Sequence, residues 1–476
     1  MDKYRTLAAN TALISIGTFA SKFLLFFMVR FYTAYLSPAD YGTADLITQT
    51  ANLLIPVVSF GITDGVFRFA MDSPSLRKNV FSSGILVLFA GGCFFALICL
   101  ALYPLGKLNY EIVLILIYAL CSCVHSLCAQ FTRARGRMQM YAIQGILNTA
   151  FVVMLNILFL AGMHMGIIGY VIAISIADIL CAAFLVLKER LWEYVTYKPD
   201  MSILKSMLKY SIPMIPTTIF WWVTSVSDRY MIRAFIDSDA NGMYTIACKI
   251  PTVMALLAGI FMEAWQFSAV TESQGEVEER DRFFSKIWEL MQAGLFLFGS
   301  LLIAFAKPEI MVLADKAYYS VWQYVPILCV SAVYSSFVTF MGSIYMVKKR
   351  SNLYFMTSLL GASTNIVLNL FLIPSPLGVQ GAAIATMISY MVLFTVRAIS
   401  TNKLIPMQLH ITKLVLGTVI LLIQSVFIVL DLPGWIIMQA ISPLLLFAVY
   451  GKVLISGSKR IMREGKSLIK RKIGRG

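Results

Sequence analysis

The stretch LNILFL at residues 155–160, followed by GIIGYVIA at 166–173, decides the fold because its pattern occurs twice. The second occurrence reads LNLFL at residues 368–372, followed by GVQGAAIA at 378–385. In both places an apolar segment containing one asparagine precedes two glycines three residues apart. The same order of segments at a long, nearly fixed spacing indicates an internal duplication.

Working outward from this pattern, residues 7–187 and 207–399 resemble two copies of one six-helix unit, offset by about 200 early and about 212 later. An even number of membrane spans per copy makes both copies enter the membrane from the same side. Such copies are related by an axis along the membrane normal, which is the parallel-repeat arrangement of many secondary transporters. We therefore expect a bundle of two lobes with a cavity between its halves.

Composition predicts an all-α integral membrane protein. The chain is 59% hydrophobic and 13% charged, with a mean hydropathy of +0.79, and about 20 apolar residues are needed for each span. Fourteen stretches meet this length, the last two as a C-terminal helix pair outside the repeat. They lie near residues 7–30, 42–67, 80–102, 111–132, 141–162, 166–187, 210–231, 242–270, 284–306, 321–346, 353–373, 378–397, 411–430 and 435–455.

The division that follows is an N-terminal lobe (1–200), a C-terminal lobe (201–405), an appended hairpin (406–456) and a basic tail (457–476). Most of the 39 Lys and Arg residues fall on cytoplasmic segments when both termini are placed in the cytoplasm, as the positive-inside rule requires. The net charge of +15 therefore reports topology. We expect the tail to contact anionic membrane lipid and predict no nucleic-acid partner.

Four predicted spans carry polar residues at helical spacing, and these stripes occur at matching positions of the two copies. The second span has Asp45, Gln49, Asn52, Pro56, Ser59 and Thr63, and the eighth has Thr245, Lys249, Thr252, Glu263 and Gln266. The first and seventh spans have Thr11, Ser15, Thr18 and Lys22, and Ser211, Thr218, Trp222, Ser225 and Arg229. The matched stripes predict a hydrated central cavity; the alternative is hydrogen bonding between helices.

Two lysines lie at similar depth in opposite lobes, Lys22 in the first span and Lys249 in the eighth. A buried lysine pair without an obvious carboxylate favours an anionic ligand, and phosphate is the commonest. Arg30, Arg68 and Arg229 lie nearer the rims, where the alternative is snorkelling to the interface. Prolines interrupt three of the four striped helices and predict bends; these are Pro56, Pro213, Pro216 and Pro251.

A second group of polar residues predicts a cation site near the outer face. Asn365 and Asn369 share one helix face, and Thr386 and Asp228 lie at about the same depth. Carboxylate, amide and hydroxyl oxygens suit Na⁺ or a protonation site; the alternative is asparagines bonding across a helix interface. Asp178 and His125 are interpreted as satisfied inside their bundle. Enzyme motifs and metal-ligand spacings are absent from the sequence, so no enzyme and no metal or other cofactor is predicted.

With these stripes placed, a family resemblance emerges. The segment RFYTAYLSPADYGTADL (30–46) with SFG (59–61) resembles the opening of Wzx-type polysaccharide flippases. The second half is similar to the seventh and eighth helices of that family at YSIP (210–213), SDRY (227–230), GMY (242–244), ACKI (247–250) and AWQ (264–266). The resemblance covers nearly the whole chain and implies the superfamily that includes multidrug exporters and lipid II flippases.

The resemblance implies a V-shaped, two-lobed transporter of two six-helix lobes, with helices 1, 2, 7 and 8 lining a cationic cleft for a diphosphate-linked lipid sugar. We expect a flippase for undecaprenyl-diphosphate-linked oligosaccharide in the bacterial cytoplasmic membrane, with a polymerase and glycosyltransferases of the same pathway as further partners. The predicted binding residues are Lys22, Lys249, Arg30, Arg68, Arg229, Asn52, Thr252, Glu263 and Gln266. The alternatives are a drug/cation antiporter of the same superfamily and an integral-membrane glycan polymerase.

Overall fold

The computed structural model describes residues 24, 26–72, 74–104, 106, 109–272, 277–348 and 350–473. Every regular element among them is helical, and the chain forms two compact units, Met1–Gly242 and Met243–Gly476. These units are defined by contacts within the structure, whereas the predicted lobes are defined by the sequence repeat. The lobe boundaries at residues 200 and 405 therefore stay predictions.

Within the described residues, the first unit contains nine α-helices and the start of a tenth. They are α1 (26–35), α2 (Pro38–Val58), α3 (Ile62–Asp72), α4 (Arg77–Leu102), α5 (Tyr110–Ala134), α6 (Met138–Asn156), α7 (Gly166–Lys188), α8 (Met201–Ser211), α9 (Ile215–Phe235) and α10 (Ser238–Ala247). The second unit continues with α11 (Lys249–Glu272), α12 (Val277–Ala304), α13 (Ala306–Leu313), α14 (Val325–Val347), α15 (Ser351–Leu372), α16 (Val379–Asn402), α17 (Ile411–Val429) and α18 (Trp435–Ile473).

In the described part, 11 helices are long and apolar enough to cross a membrane, or 12 with one bent pair counted as a span. These correspond to the second to sixth and the eighth to fourteenth predicted spans. The first predicted span lies mostly outside the described residues. The seventh is divided into α8, a short turn at Ile212–Met214 and α9, with Pro213 and Pro216 beside the break. The chain is a multi-pass membrane protein, while the exact number of fourteen spans stays a prediction.

The second span is bent by 54° between α2 and α3. Pro56 lies in the last turn of α2, and the helix ends where Phe60 and Gly61 adopt left-handed backbone with φ of 48° and 63°. The Gly61 N–H donates to the Pro56 carbonyl at 2.9 Å, which satisfies a helix-end carbonyl in the manner of a Schellman motif. The bend predicted from Pro56 therefore also depends on the left-handed backbone of Phe60 and Gly61.

In the first unit, α5 packs against α2, α3 and α7, and its buried face includes Cys123, Leu127 and Phe131. The N-terminal turns of α2 and α10 cross closely at two glycines. A Cβ added to Gly42 would lie 2.2 Å from the Ser238 carbonyl oxygen, and one added to Gly242 would lie 2.0 Å from the Pro38 carbonyl oxygen. Neither contact leaves room for a side chain, so glycine is required at both positions.

In the second unit, α14 is the most buried span. Its Phe337 and Phe340 pack with Trp265, Trp288 and Phe394 of other helices, and the ring centroids lie 4.9–5.7 Å apart. The predicted C-terminal helix pair, α17 and α18, is joined to α12 by buried amides. The Gln424 amide nitrogen donates to the Gln439 side-chain oxygen at 2.9 Å, and the Ser300 hydroxyl donates to the Gln424 side-chain oxygen at 2.7 Å.

Candidate functional site

A polar cavity of about 400 Å³ lies between α2 and α9 of the first unit. Its walls come mainly from residues that the sequence predicted on the polar stripes of the second and seventh spans. The lining residues are Gln49, Asn52, Leu53, Pro56, Thr218, Trp222, Ser225, Val226 and Arg229. The polar stripe of α2 faces the polar stripe of α9 at this cavity. Amide, hydroxyl and guanidinium groups therefore line the same space between the two helices.

An ion pair links the same two helices. One guanidinium nitrogen of Arg229, Nη1, lies 2.8 Å from both carboxylate oxygens of Asp45. The side chains are 16% and 9% exposed, so neither charge has ready access to bulk water and each depends on the other. The sequence singled out both residues but did not pair them.

Two further contacts fix α9 against α2. The Trp222 indole N–H donates to the Gln49 backbone carbonyl at 2.8 Å, and the Tyr230 hydroxyl is hydrogen-bonded to the Thr50 hydroxyl. A neighbouring ion pair joins Arg233 to Glu111 at 3.3 Å. The position of α9 along α2 is therefore held by side chains over two turns of helix.

The other predicted binding residues are placed as follows. Lys22 lies outside the described residues, as do the side chains of Glu263 and Gln266, whose backbone belongs to α11. Lys249 is half-buried in the first turn of α11, and Thr252 donates to the Cys248 carbonyl at 2.8 Å. Arg30 on α1 and Arg68 on α3 are exposed. The structure thus brings Asn52 and Arg229 into one cavity, and a joint role for the remainder stays a prediction.

The predicted cation-site residues divide between the units. In the second unit, the Asn369 amide nitrogen donates to the Asn365 side-chain oxygen at 3.0 Å, and Asn365 donates to the Thr386 hydroxyl at 3.3 Å. The side-chain oxygen of Asn369 is buried with no hydrogen-bond partner among the described residues. Asp228 belongs to the first unit, where it accepts from the Arg229 backbone N–H at 2.9 Å.

The arginines at the C-terminal end of α5 are held by specific partners. Arg135 and Arg137 lie 3.3 and 3.5 Å from a carboxylate oxygen of Glu189. The Arg133 guanidinium lies over the Phe67 and Tyr141 rings at 4.8 and 5.4 Å. The sequence predicts that Lys348, Lys349 and Arg350 occupy the equivalent position of the second copy, and of these Lys349 lies outside the described residues.

A buried polar cluster joins α5, α6 and α7 in the first unit. Asp178 on α7 accepts from Asn148 on α6 at 2.9 Å and from Ser122 on α5, and it lies 3.0 Å from His125. The prediction that Asp178 and His125 are satisfied inside their bundle is confirmed by these contacts. Sequence reasoning treated the two residues as isolated because they are 53 positions apart on different helices.

Comparisons with known proteins agree with the architecture. A family model described as polysaccharide biosynthesis protein matches residues 7–266. No curated protein matches the sequence. The fold is similar to that of the lipid II flippase MurJ in an inward closed conformation, with 15% identity, a TM-score of 0.68, and coverage of 94% of this chain and 99% of that chain.

Multidrug resistance transporters of the MATE family also share the fold. An inward-facing structure matches with 14% identity and a TM-score of 0.61 over 80% of this chain and 95% of that chain. An outward-facing structure matches with 14% identity and a TM-score of 0.54 over 83% and 94%. At this identity the likeness concerns the fold alone, and these neighbours are transporters and flippases, not enzymes.

Proposed function

Because the chain belongs to the polysaccharide biosynthesis protein family, we propose that it is a flippase for undecaprenyl-diphosphate-linked oligosaccharide. It would carry this lipid from the cytoplasmic to the outer leaflet of the bacterial cytoplasmic membrane by alternating access. The family match confirms the resemblance to Wzx-type flippases that the sequence motifs indicated.

The observation that carries the proposal is the polar cavity between α2 and α9. A glycan crossing a membrane needs hydrogen-bond partners at membrane depth, because an unpaired hydroxyl in an apolar medium costs several kcal/mol. Gln49, Asn52, Thr218 and Ser225 offer amides and hydroxyls for this purpose. The sugar hydroxyls would replace water on these groups.

Charge recognition would come from the cationic residues. Arg229 is held by Asp45 in the present structure, and a diphosphate can compete for the same guanidinium because arginine binds phosphate as readily as carboxylate. Lys22 and Lys249 are proposed as a cationic clamp on the diphosphate, assisted by Arg30 and Arg68. Thr252, Glu263 and Gln266 are proposed as neighbouring contacts on α11.

The test uses proteoliposomes containing a polyprenyl-diphosphate sugar with a fluorescent label that externally added dithionite quenches. We expect Lys22→Ala and Lys249→Ala to lower the flipping rate at least tenfold, with Lys249→Arg intermediate since charge survives while geometry changes. Lys286→Ala serves as the matched control, because Lys286 is exposed on α12. Wild-type rates in both clamp variants would reject the clamp, and no flipping by the wild-type protein would reject the function.

A drug/cation antiporter is the second candidate, favoured only by the shared fold of the MATE transporters. A binding cavity for organic cations should present an unneutralised carboxylate, whereas none of the residues lining this cavity is acidic, and the Asp45 carboxylate nearby is neutralised by Arg229. Energised vesicles that expel ethidium but do not flip the labelled lipid would favour the antiporter.

Cation coupling through Asp228, Asn365, Asn369 and Thr386 completes the proposal. The buried Asn369 oxygen without a partner in the described part of the chain offers one ligand, and Asp228 would supply the charge. A cation drives transport only through its different affinity for the two orientations. Imposing a Na⁺ or H⁺ gradient should raise the wild-type flipping rate and leave Asp228→Asn unaffected; equal stimulation of both proteins would exclude this site.

A further inference from the structure

The imidazole of His125 lies between hydrogen-bonding side chains that the proposed function does not involve. His125 faces two oxygen acceptors from different helices. Its Nδ1 lies 3.0 Å from a carboxylate oxygen of Asp178 on α7, and its Nε2 lies 2.6 Å from the side-chain oxygen of Gln144 on α6. An oxygen acceptor can pair with a ring nitrogen only when that nitrogen carries hydrogen. A neutral imidazole has one N–H, whereas the imidazolium ion has two.

The remaining contacts of Asp178 fit a carboxylate that is ionised. One oxygen accepts from the Asn148 amide at 2.9 Å as well as facing His125, and the other accepts from the Ser122 hydroxyl. An ionised carboxylate only accepts hydrogen bonds, so all of its contacts are satisfied without a proton of its own. The cluster as a whole is complete when His125 holds one additional proton.

Loss of that proton changes the cluster. With the Gln144 side-chain oxygen facing Nε2 as it does here, a neutral His125 would leave one of these two hydrogen bonds unmade, at a cost of about 1–3 kcal/mol when buried. A neutral His125 is accommodated without that cost only when the Gln144 amide turns over and donates its N–H to Nε2. The other titratable groups close to Asp178 are Tyr118, Cys121 and Cys123 of α5 and Cys181 of α7, while α6 presents the amides of Gln144 and Asn148. None of these named groups brings a positive charge that could replace the imidazolium.

The cluster also has a route to the polar cavity. Tyr118 lies one turn before Ser122 on α5, so the two hydroxyls share one face of that helix. The Tyr118 hydroxyl lies 3.5 Å from the side-chain oxygen of Asn52, and Asn52 lines the cavity. Hydroxyls both donate and accept, so Tyr118 and Ser122 place two such groups between the cavity and Asp178.

We propose that His125 and Asp178 form a proton-binding site that exchanges a coupling proton with the cavity through Ser122 and Tyr118. Binding adds one proton to the imidazole and leaves Asp178 ionised; release returns the imidazole to its neutral form. The coupling role rests on the proposed flippase function, whereas the proton site does not. The site lies wholly in the first unit and is separate from Asn365 and Asn369 of the proposed cation site.

The first test reads the proton directly. The chain has three histidines, His125, His164 and His410, so protein labelled with ¹⁵N-histidine gives few signals, and those missing in His125→Gln are assigned to His125. We expect both ring nitrogens of His125 to carry hydrogen at pH 7, and only one to do so in Asp178→Asn. A singly protonated His125 in the wild type, or an unchanged state in Asp178→Asn, would overturn the proposal. A Gln144→Leu variant gives an independent assignment if His125→Gln does not fold.

The second test reads the coupling. In proteoliposomes an inward or outward pH gradient should change the wild-type flipping rate about fivefold or more, with no response in His125→Gln or Tyr118→Phe. His164→Gln is the matched control and should respond like the wild type. A full response in His125→Gln would overturn the coupling role. If the wild-type protein flips no lipid, the proposed function fails, and the ¹⁵N measurement still decides the proton site.

Discussion

Replacing Asp45 by Asn removes the carboxylate that the Arg229 guanidinium contacts through both of its oxygens at 2.8 Å. At about 3 Å and an effective dielectric constant of about 20, the attraction of two unit charges is about 5–6 kcal/mol. Desolvation offsets part of this gain, yet loss of one partner leaves the other charge buried. We therefore expect each single variant to lose about 3–5 kcal/mol of unfolding free energy.

The assay is a double-mutant cycle with Asp45→Asn, Arg229→Met and the double variant, followed by titration with sodium dodecyl sulfate. The two single losses should not add, since removing both partners leaves no buried charge. Arg282 and Glu278 on α12 provide the control, because they form a pair of the same 2.8 Å length with side chains 65% and 86% exposed. That exposed pair should couple by less than about 1 kcal/mol.

The same pair should also affect transport. If the Asp45–Arg229 pair forms in only one of the two orientations of the transporter, removing it destabilises that orientation by about 3–5 kcal/mol. The equilibrium between the orientations then shifts by about 100-fold to several thousand-fold. Additive losses in the Asp45 and Arg229 cycle would refute the reasoning, because they would mean that the two charges do not depend on each other. Recovery of stability in the exchanged variant Asp45→Arg with Arg229→Asp would support it.

Three further predictions concern other parts of the chain. Burial raises the pKa of the Glu309 carboxyl on α13 to about 8, so stability should be greatest at low pH and fall as pH rises from about 4.5 to about 8, by at most about 5 kcal/mol. Glu309→Gln should flatten this dependence in thermal unfolding between pH 5 and pH 9. Gly42→Leu should abolish transport and lower expression, whereas Gly145→Leu, where a Cβ meets open space, should leave both nearly unchanged. Neutralising Arg133, Arg135 and Arg137 should reduce flipping with unchanged loop accessibility to thiol reagents; an inverted topology would show that these arginines only orient the chain.

The apolar spans could be predicted from the sequence because each is a long local signal. Twelve of the fourteen predicted spans correspond to helices or to the bent pair that meet the length and hydropathy requirements. The seventh does not meet them, because its polar stripe and prolines lower its hydropathy and divide it. The break after α2 was only half predictable: Pro56 signals a bend, but the left-handed backbone at Phe60 carries no clear sequence signal.

The sequence identified residues that line the cavity, but it did not predict which of them contact each other. Asp45 and Arg229 were identified on separate polar stripes, yet their contact depends on how far α9 is shifted along α2. Trp222 and Tyr230 set that shift through contacts 173 and 180 positions apart, which periodicity alone does not encode. His125 and Asp178 illustrate the same limit, since each was recognised as buried and polar, while the contacts of His125 with Asp178 and Gln144 form only when α5, α6 and α7 pack together.

The crossing of α2 and α10 has a consequence for the history of the chain. Gly42 and Gly242 are 200 positions apart, which is the early offset of the two predicted sequence copies, so each glycine lies against the residue that this prediction makes its counterpart. In a symmetric homodimer only a residue on the two-fold axis meets itself, in an isologous contact. The crossing is therefore what a fused pair of identical protomers would leave behind, and in such an ancestor a single codon would have controlled both sides of the contact.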